Sequence, residues 1–177
     1  FKIDTTDGIT SDKYNAVTMT QVGKVQLPAA DRWGYMYYLL APTTGANNIV
    51  ITADHISDFI IGKSVSYSGF KQSAQPDAST TETVASGTSI VLNITVVDAN
   101  SWAIAYCWTT NIPAASTNVT DRHSDSTPET LGDSNGVTGA GNYEQTFTDT
   151  LRAFAGIQAS FAPAISRRLD FSLMGVG

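Results

Sequence analysis

The stretch from Ser89 to Thr110, SIVLNITVVDANSWAIAYCWTT, limits what this chain can fold into more than any other. Side chains alternate across a strand, so Ile90, Leu92, Ile94 and Val96 share one face, opposite Val91, Asn93, Thr95 and Val97. A second alternation sets Trp102, Ile104, Tyr106 and Trp108 against Ala103, Ala105, Cys107 and Thr109. Asp98 to Ser101 between them carry turn chemistry, because Asp and Asn side chains bond their own backbone and tolerate left-handed dihedrals. The pattern predicts a central hairpin whose two large-residue faces demand a covering sheet.

No segment of the remaining chain sustains a helical period, so helix content is expected to be very low. Phe1 to Asp4 alternates like a strand, Thr5 to Tyr14 reads as loop, and Ala16 to Val22 reads as a short strand. Arg32 to Ala41 is an aromatic strand with Trp33, Tyr35, Tyr37 and Leu39 on one face and Met36, Tyr38 and Leu40 on the other. Asn47 to Ala53 and Ile60 to Tyr67 follow as strands, with Asp54 to Phe59 a short helical turn or loop between them. Ser68 to Thr88 is a polar connection. Asn111 to Asn142 is too long to be structureless, and a short strand is expected near Ser116 to Arg122. Tyr143 to Thr150 and Ala153 to Phe161 close the pattern. About eight strands with turn signals between them predict an all-β fold, a two-layer antiparallel β-sandwich of jelly-roll-like or immunoglobulin-like type. Residues 1–164 form a single expected domain, and 165–177 an appended arm whose Leu169, Phe171, Leu173 and Met174 have nothing left to cover them. Docking on a neighbouring subunit and folding back as an edge strand are both open for that arm.

Composition narrows the setting. Charged residues are only 15% of 177, the net charge is −6, and hydroxyl side chains are abundant. This suits an extracellular or virion surface, and an acidic chain is a poor partner for nucleic acid. No apolar run approaches the roughly 20 residues a membrane helix needs. Cys107 is alone, so an intrachain disulfide is excluded, and its strand position marks it as a small core residue.

Several phrases in order carry a resemblance: YNAVTMTQVG at Tyr14 to Gly23, YMYYLLAPTTGANNIVIT at Tyr35 to Thr52, SYSGFKQSAQPDAST at Ser66 to Thr80, NSWAIAYCWTT at Asn100 to Thr110, and AFAGIQASFAPA at Ala153 to Ala164. Together they resemble a β-sandwich domain of phage virion proteins and of uncharacterised bacterial secreted proteins. That resemblance implies one or two further strands before Phe1. The chain is therefore expected to be a processed or partial product, or to have the missing strand supplied by another subunit through β-augmentation, with Phe1 and Ile3 at the contact.

No catalytic signature is present. His55 and His123 lack metal-binding spacing and sit in polar loops, and there is no GxSxG nucleophile elbow. GDSNG at Gly132 to Gly136 reads as a turn. Glu82, Glu129 and Glu144 with Asp31, Asp54 or Asp121 supply carboxylates for a glycosidase pair, but the sequence selects no partner. Asp121, Asp125 and Asp133, with Asn135, are candidate calcium ligands in one long loop, although the EF-hand spacing is missing. Asn93-Ile94-Thr95 and Asn118-Val119-Thr120 fit the glycosylation sequon. Most aromatics fall on regular strand faces and read as core, whereas Trp33, beside Arg32 and Asp31, is the candidate glycan contact. The leading expectation is a non-catalytic structural protein on a virion exterior, a capsid-decorating, fibre or tail subunit with no cofactor. Its partners are expected to be other copies of itself and other virion or surface proteins. The alternative is a carbohydrate-binding module of a secreted or cell-surface bacterial protein.

Overall fold

The computed structural model describes residues 8–28, 30–54, 60–123 and 127–164, with the backbone of 2–4. It is all-β and antiparallel, with no helix among the described residues. Three sheets form. The first orders β4 (Thr20–Gln26), β5 (Arg32–Tyr38), β1 (Lys2–Asp4) and β7 (Ile60–Ile61). A small one orders β3 (Val17–Thr18), β2 (Ile9–Tyr14) and β6 (Ile49–Ala53). The largest contains β8 (Ala78–Val96), β9 (Trp102–Trp108), β10 (Ala114–Ala115), β11 (Thr120–Asp121), β12 (Glu129–Asp133) and β13 (Gly141–Phe161).

The large sheet is folded over on itself. β8 and β13 pair along their whole length, but their register shifts between Thr148 and Arg152 and again before Phe154. Beyond the shift, Ala155 to Phe161 pairs with β9 as well. Before it, Ala114 and Ala115 of β10 pair with Thr148 and Phe147. Gln158 Nε2 donates to Gln145 Oε1 at 3.0 Å, both side chains fully buried in the same strand. In a straight strand thirteen residues would span ~43 Å. The ribbon must therefore double back at Thr148 to Arg152, and the bulge is what bends it.

Doubling back creates two cores. On one side of the β9 layer, Ile104, Tyr106, Trp108, Ile157 and Phe161 meet Leu27, Val22, Val25, Met36 and Tyr38 of the first sheet region. Gly34 lies directly over the Trp108 ring, where a Cβ would overlap the indole. On the other side, Ala105, Cys107 and Phe154 meet Ile90, Leu92 and Phe147 of the folded-over ribbon. The small-residue face of β9 thus accepts the large-residue face of β8. Each fully buried Leu, Ile or Phe here contributes about 1.5–3 kcal/mol.

The two alternations of Ser89 to Thr110 stand as read, since Ile90 to Val96 is buried at every second residue. Their pairing differs from the expected hairpin. β8 hydrogen-bonds to β13, and β9 to β13 and β12, so the turn at Val97 to Ser101 carries the chain between layers. Four other boundaries differ. The hydroxyl-rich run from Ala78 is strand rather than connection, Ile9 to Tyr14 is strand rather than loop, only Ile60–Ile61 of the Ile60 to Tyr67 segment joins a ladder, and the two closing strands are one. Among its described residues Asn111 to Asn142 holds the short strands β10, β11 and β12, of which β11 lies inside the expected Ser116 to Arg122 window.

Lys2–Asp4 is flanked by β5 on one side and β7 on the other. Both of its ladder edges are occupied by this chain's own strands, so augmentation by another subunit does not occur there. The side chains of Phe1 and Ile3, the Asp54 to Phe59 turn beyond Asp54, and the arm residues Leu169, Phe171, Leu173 and Met174 lie outside the described residues.

Candidate functional site

The chemistry-bearing side chains gather on β12. Its sequence ETLGD is buried at every position, and period-two geometry turns Glu129, Leu131 and Asp133 to the face shared with Trp108, Tyr106 and Ile104. Tyr106 donates its hydroxyl to Glu129 Oε2 at 2.7 Å, while Glu129 Oε1 has no hydrogen-bond partner. Lys63 Nζ donates to the backbone carbonyls of Glu129 at 2.9 Å and of His123 at 3.1 Å.

Asp133, fully buried, is the better-satisfied carboxylate. Arg122 Nε and Nη2 each donate to it at 2.7 Å, Tyr67 Oη at 2.6 Å and the Asn135 backbone N–H at 2.8 Å. Arg122 Nη2 also reaches Asn135 Oδ1 at 2.9 Å. Burial works to raise the Asp133 carboxyl, but the bonds from Arg122, Tyr67 and Asn135 outweigh it and hold it below the ordinary carboxylate range. Burial and the neighbouring Asp133 charge push the Tyr67 hydroxyl far above the usual phenol value, so it stays a donor. The cluster is a closed set of internal pairs. It fixes positions and offers no free acid or base at neutral pH on Asp133 or Tyr67.

What it fixes is an aromatic row. Tyr67 packs edge-on to Phe70 with ring centroids 5.8 Å apart and tilts against Trp102 at 5.6 Å. Phe70 meets Phe161 at 6.0 Å, and Phe161 meets Tyr38 at 5.6 Å. Tyr67 and Phe70 open onto a cleft of about 380 Å³ whose other wall is Leu39, Leu40, Ala41 and Pro42. Ser68, Gly69 and Gln72 complete it, and Tyr67 is the one lining residue with an ionisable side chain. Ala41 and Gly69 take positive φ values of 46° and 83°, which turns both walls sharply at the rim. A cleft so lined can bind an apolar segment.

A second depression of about 340 Å³ is lined by Asn15, Asn47, Asn48, Ala16, Ala46 and Val50. Asn47 Nδ2 is engaged there with the Tyr14 hydroxyl and the carbonyls of Thr43 and Gly45, each at 3.3 Å.

The sequence-derived candidates are scattered. Thr120 is in register with Asp133 and Asp121 with Gly132, so Asp121 and Asp133 point to opposite faces of their sheet. With Asp133 also committed to Arg122, these two calcium candidates do not converge, and Asp125 lies outside the described residues. Among the described residues no three His, Cys, Asp or Glu side chains gather as a metal group. Glu82 and Glu144 are exposed, the latter accepting from Asn93 Nδ2 at 3.1 Å. Glu129 and Asp133 share a face but stand ~13 Å apart along the strand, beyond the ~5–9.5 Å of glycosidase carboxylates. His123 is held in its loop, its N–H donated to Asp121 Oδ1 at 2.8 Å and its ring Nε2 3.0 Å from the Ser64 carbonyl. His55 lies outside the described residues. Of the glycan candidates, Asp31 is exposed and Arg32 and Trp33 are half-buried, with Lys24 Nζ 5.7 Å from the Trp33 ring centroid. One face of that indole is therefore occupied. Sequon residue Asn118 has φ 57° and gives its amide to the Glu144 carbonyl at 3.0 Å.

Sequence reading missed the cleft because its walls come from two irregular segments. The available signal was SYSGFK, where Tyr67 and Phe70 stand in a Ser/Gly-rich run with no alternation to bury them. No protein-family model, no curated protein and no solved structure matches this chain.

Proposed function

We propose that this chain is a non-catalytic structural protein of a virion exterior, a capsid-decorating, fibre or tail subunit that works by contact with other copies and other surface proteins. One observation carries the reading. The ionisable groups that cluster around Asp133 are paired with each other, while the apolar cleft beside them has a single ionisable lining residue, held as a donor. Apolar side chains also stand exposed on the small sheet, with Val17 and Ile49 both in register with Tyr14, and Val50 on the opposite face. β6 ends that sheet as an edge strand of sequence IVITA, an uncharged ladder suited to contact. A hydroxyl-rich surface of low charge fits a long-lived extracellular or virion particle. The phage-virion family resemblance supports the same setting.

Sedimentation velocity of the intact chain from micromolar concentration upward tests this. The expected result is a discrete species heavier than one chain. A single-chain mass throughout would overturn the reading. In that case retention on a glycan array would support the carbohydrate-binding alternative, for which the asparagine-lined depression is the place to look.

A further inference from the structure

Ala164, the last described residue, donates its backbone N–H to the Gly69 carbonyl at 2.7 Å, and Pro163 bridges to Phe70. The chain therefore leaves the domain at the rim of the apolar cleft formed by Leu39, Leu40, Pro42, Tyr67 and Phe70. Thirteen residues follow, ISRRLDFSLMGVG. In them Leu169, Phe171 and Leu173 recur at period two, the pattern of a strand with one apolar face. We infer that the segment Leu169–Met174 of one copy fills this cleft on a second copy. The inference rests on the contact-protein reading above and names where that contact is made.

Three observations favour this occupant. The cleft is preformed, because Tyr67 is locked by its bond to Asp133 and by the rings of Phe70 and Trp102, so little ordering is required of the receptor. The lining matches the segment in chemistry, with apolar walls for apolar side chains and no ionised group to desolvate. Two cations, Arg167 and Arg168, immediately precede Leu169 in a chain of net charge −6, so approach to another copy is electrostatically favoured. Leu169 stands five residues past Ala164, an extended reach of ~16 Å, and the mass of the intact chain separates filling of a second copy's cleft from filling of its own.

The test uses a fluorescent peptide of residues 165–177 titrated with the full chain carrying Phe171→Asp and Leu173→Asp, whose own segment cannot compete. Saturable anisotropy change is expected, weakened about tenfold or more by Leu40→Asp and by Pro42→Asp. Pro42 is exposed, so its substitution leaves the core untouched and separates cleft loss from unfolding, which circular dichroism monitors. No saturable binding, or binding indifferent to both substitutions, would overturn the inference. An assembling chain whose peptide does not bind loses this inference and keeps the contact reading. A single-chain species whose cleft binds the peptide loses both, because the segment then does not fill the cleft of a second copy.

Discussion

Asp133 concentrates more of the fold's electrostatics than any other described side chain. Its folded carboxyl is held below the ordinary value, so it contributes stability at pH above the unfolded value of ~3.9 and loses it as pH falls through the lower folded one. Asp149 acts in the same direction. Burial opposes it, but the Thr150 N–H, Asn111 and Thr109 bonds prevail. The urea midpoint is therefore expected to fall on acidification below about pH 4 and to be flat through neutrality as far as these groups are concerned. Asp133→Asn is expected to cost roughly 2–3 kcal/mol at neutral pH, because Arg122 loses its bidentate acceptor but keeps some access to water. The same variant should show a shallower acid limb in urea titrations. Gln145 offers a second test, without charge. Gln145→Ala leaves the fully buried Gln158 amide without its acceptor and is expected to cost about 1–3 kcal/mol by chemical denaturation, whereas a surface glutamine such as Gln72 should cost under ~0.5.

At the scale of elements, the fold turns on the bent β8–β13 ribbon and on the close approach of β5 to β9. Gly34→Ala would drive a methyl group into the Trp108 ring, which is itself fully buried and has no room to move. A loss of about 1–3 kcal/mol in thermal or urea unfolding is expected. Gly156→Ala meets only the branched end of Leu92 at 3.0–3.4 Å and should cost less. What could be read in advance at this scale was periodicity. Ile90 to Val96 and Trp102 to Trp108 announce their faces because apolar and polar, or large and small, residues alternate without a break. Pairing was not legible, because two alternating strands joined by DANS fit a hairpin and a layer-crossing turn equally well. The hydroxyl-rich half of β8 was missed because Ser and Thr serve strands and loops alike. β12 was missed because its buried faces include Glu129 and Asp133, which look solvent-seeking until Tyr106 and Arg122 arrive from elsewhere in the chain. The fold-back at Thr148 to Arg152 has no local signature at all. It is enforced from a distance by Gln145, Phe147 and Leu92 finding the β9 layer.

For the whole molecule, the all-β class was open to sequence reading and the cleft was not. Leu39 and Leu40 read as the end of an aromatic strand, and Tyr67 as the end of another, yet both pairs of walls leave their ladders early and meet at a rim. Only the tertiary structure brings SYSGF against YLLAP and sets Ala164 beside them. On the proposed reading, the chain assembles through the segment that follows Ala164. Light scattering on the intact chain and on the chain lacking residues 165–177 puts that claim to the most direct test. The expected result is an assembly for the intact chain and a folded single-chain species for the truncated one. An intact chain that scatters as a single copy, or an assembly indifferent to the truncation, would contradict it.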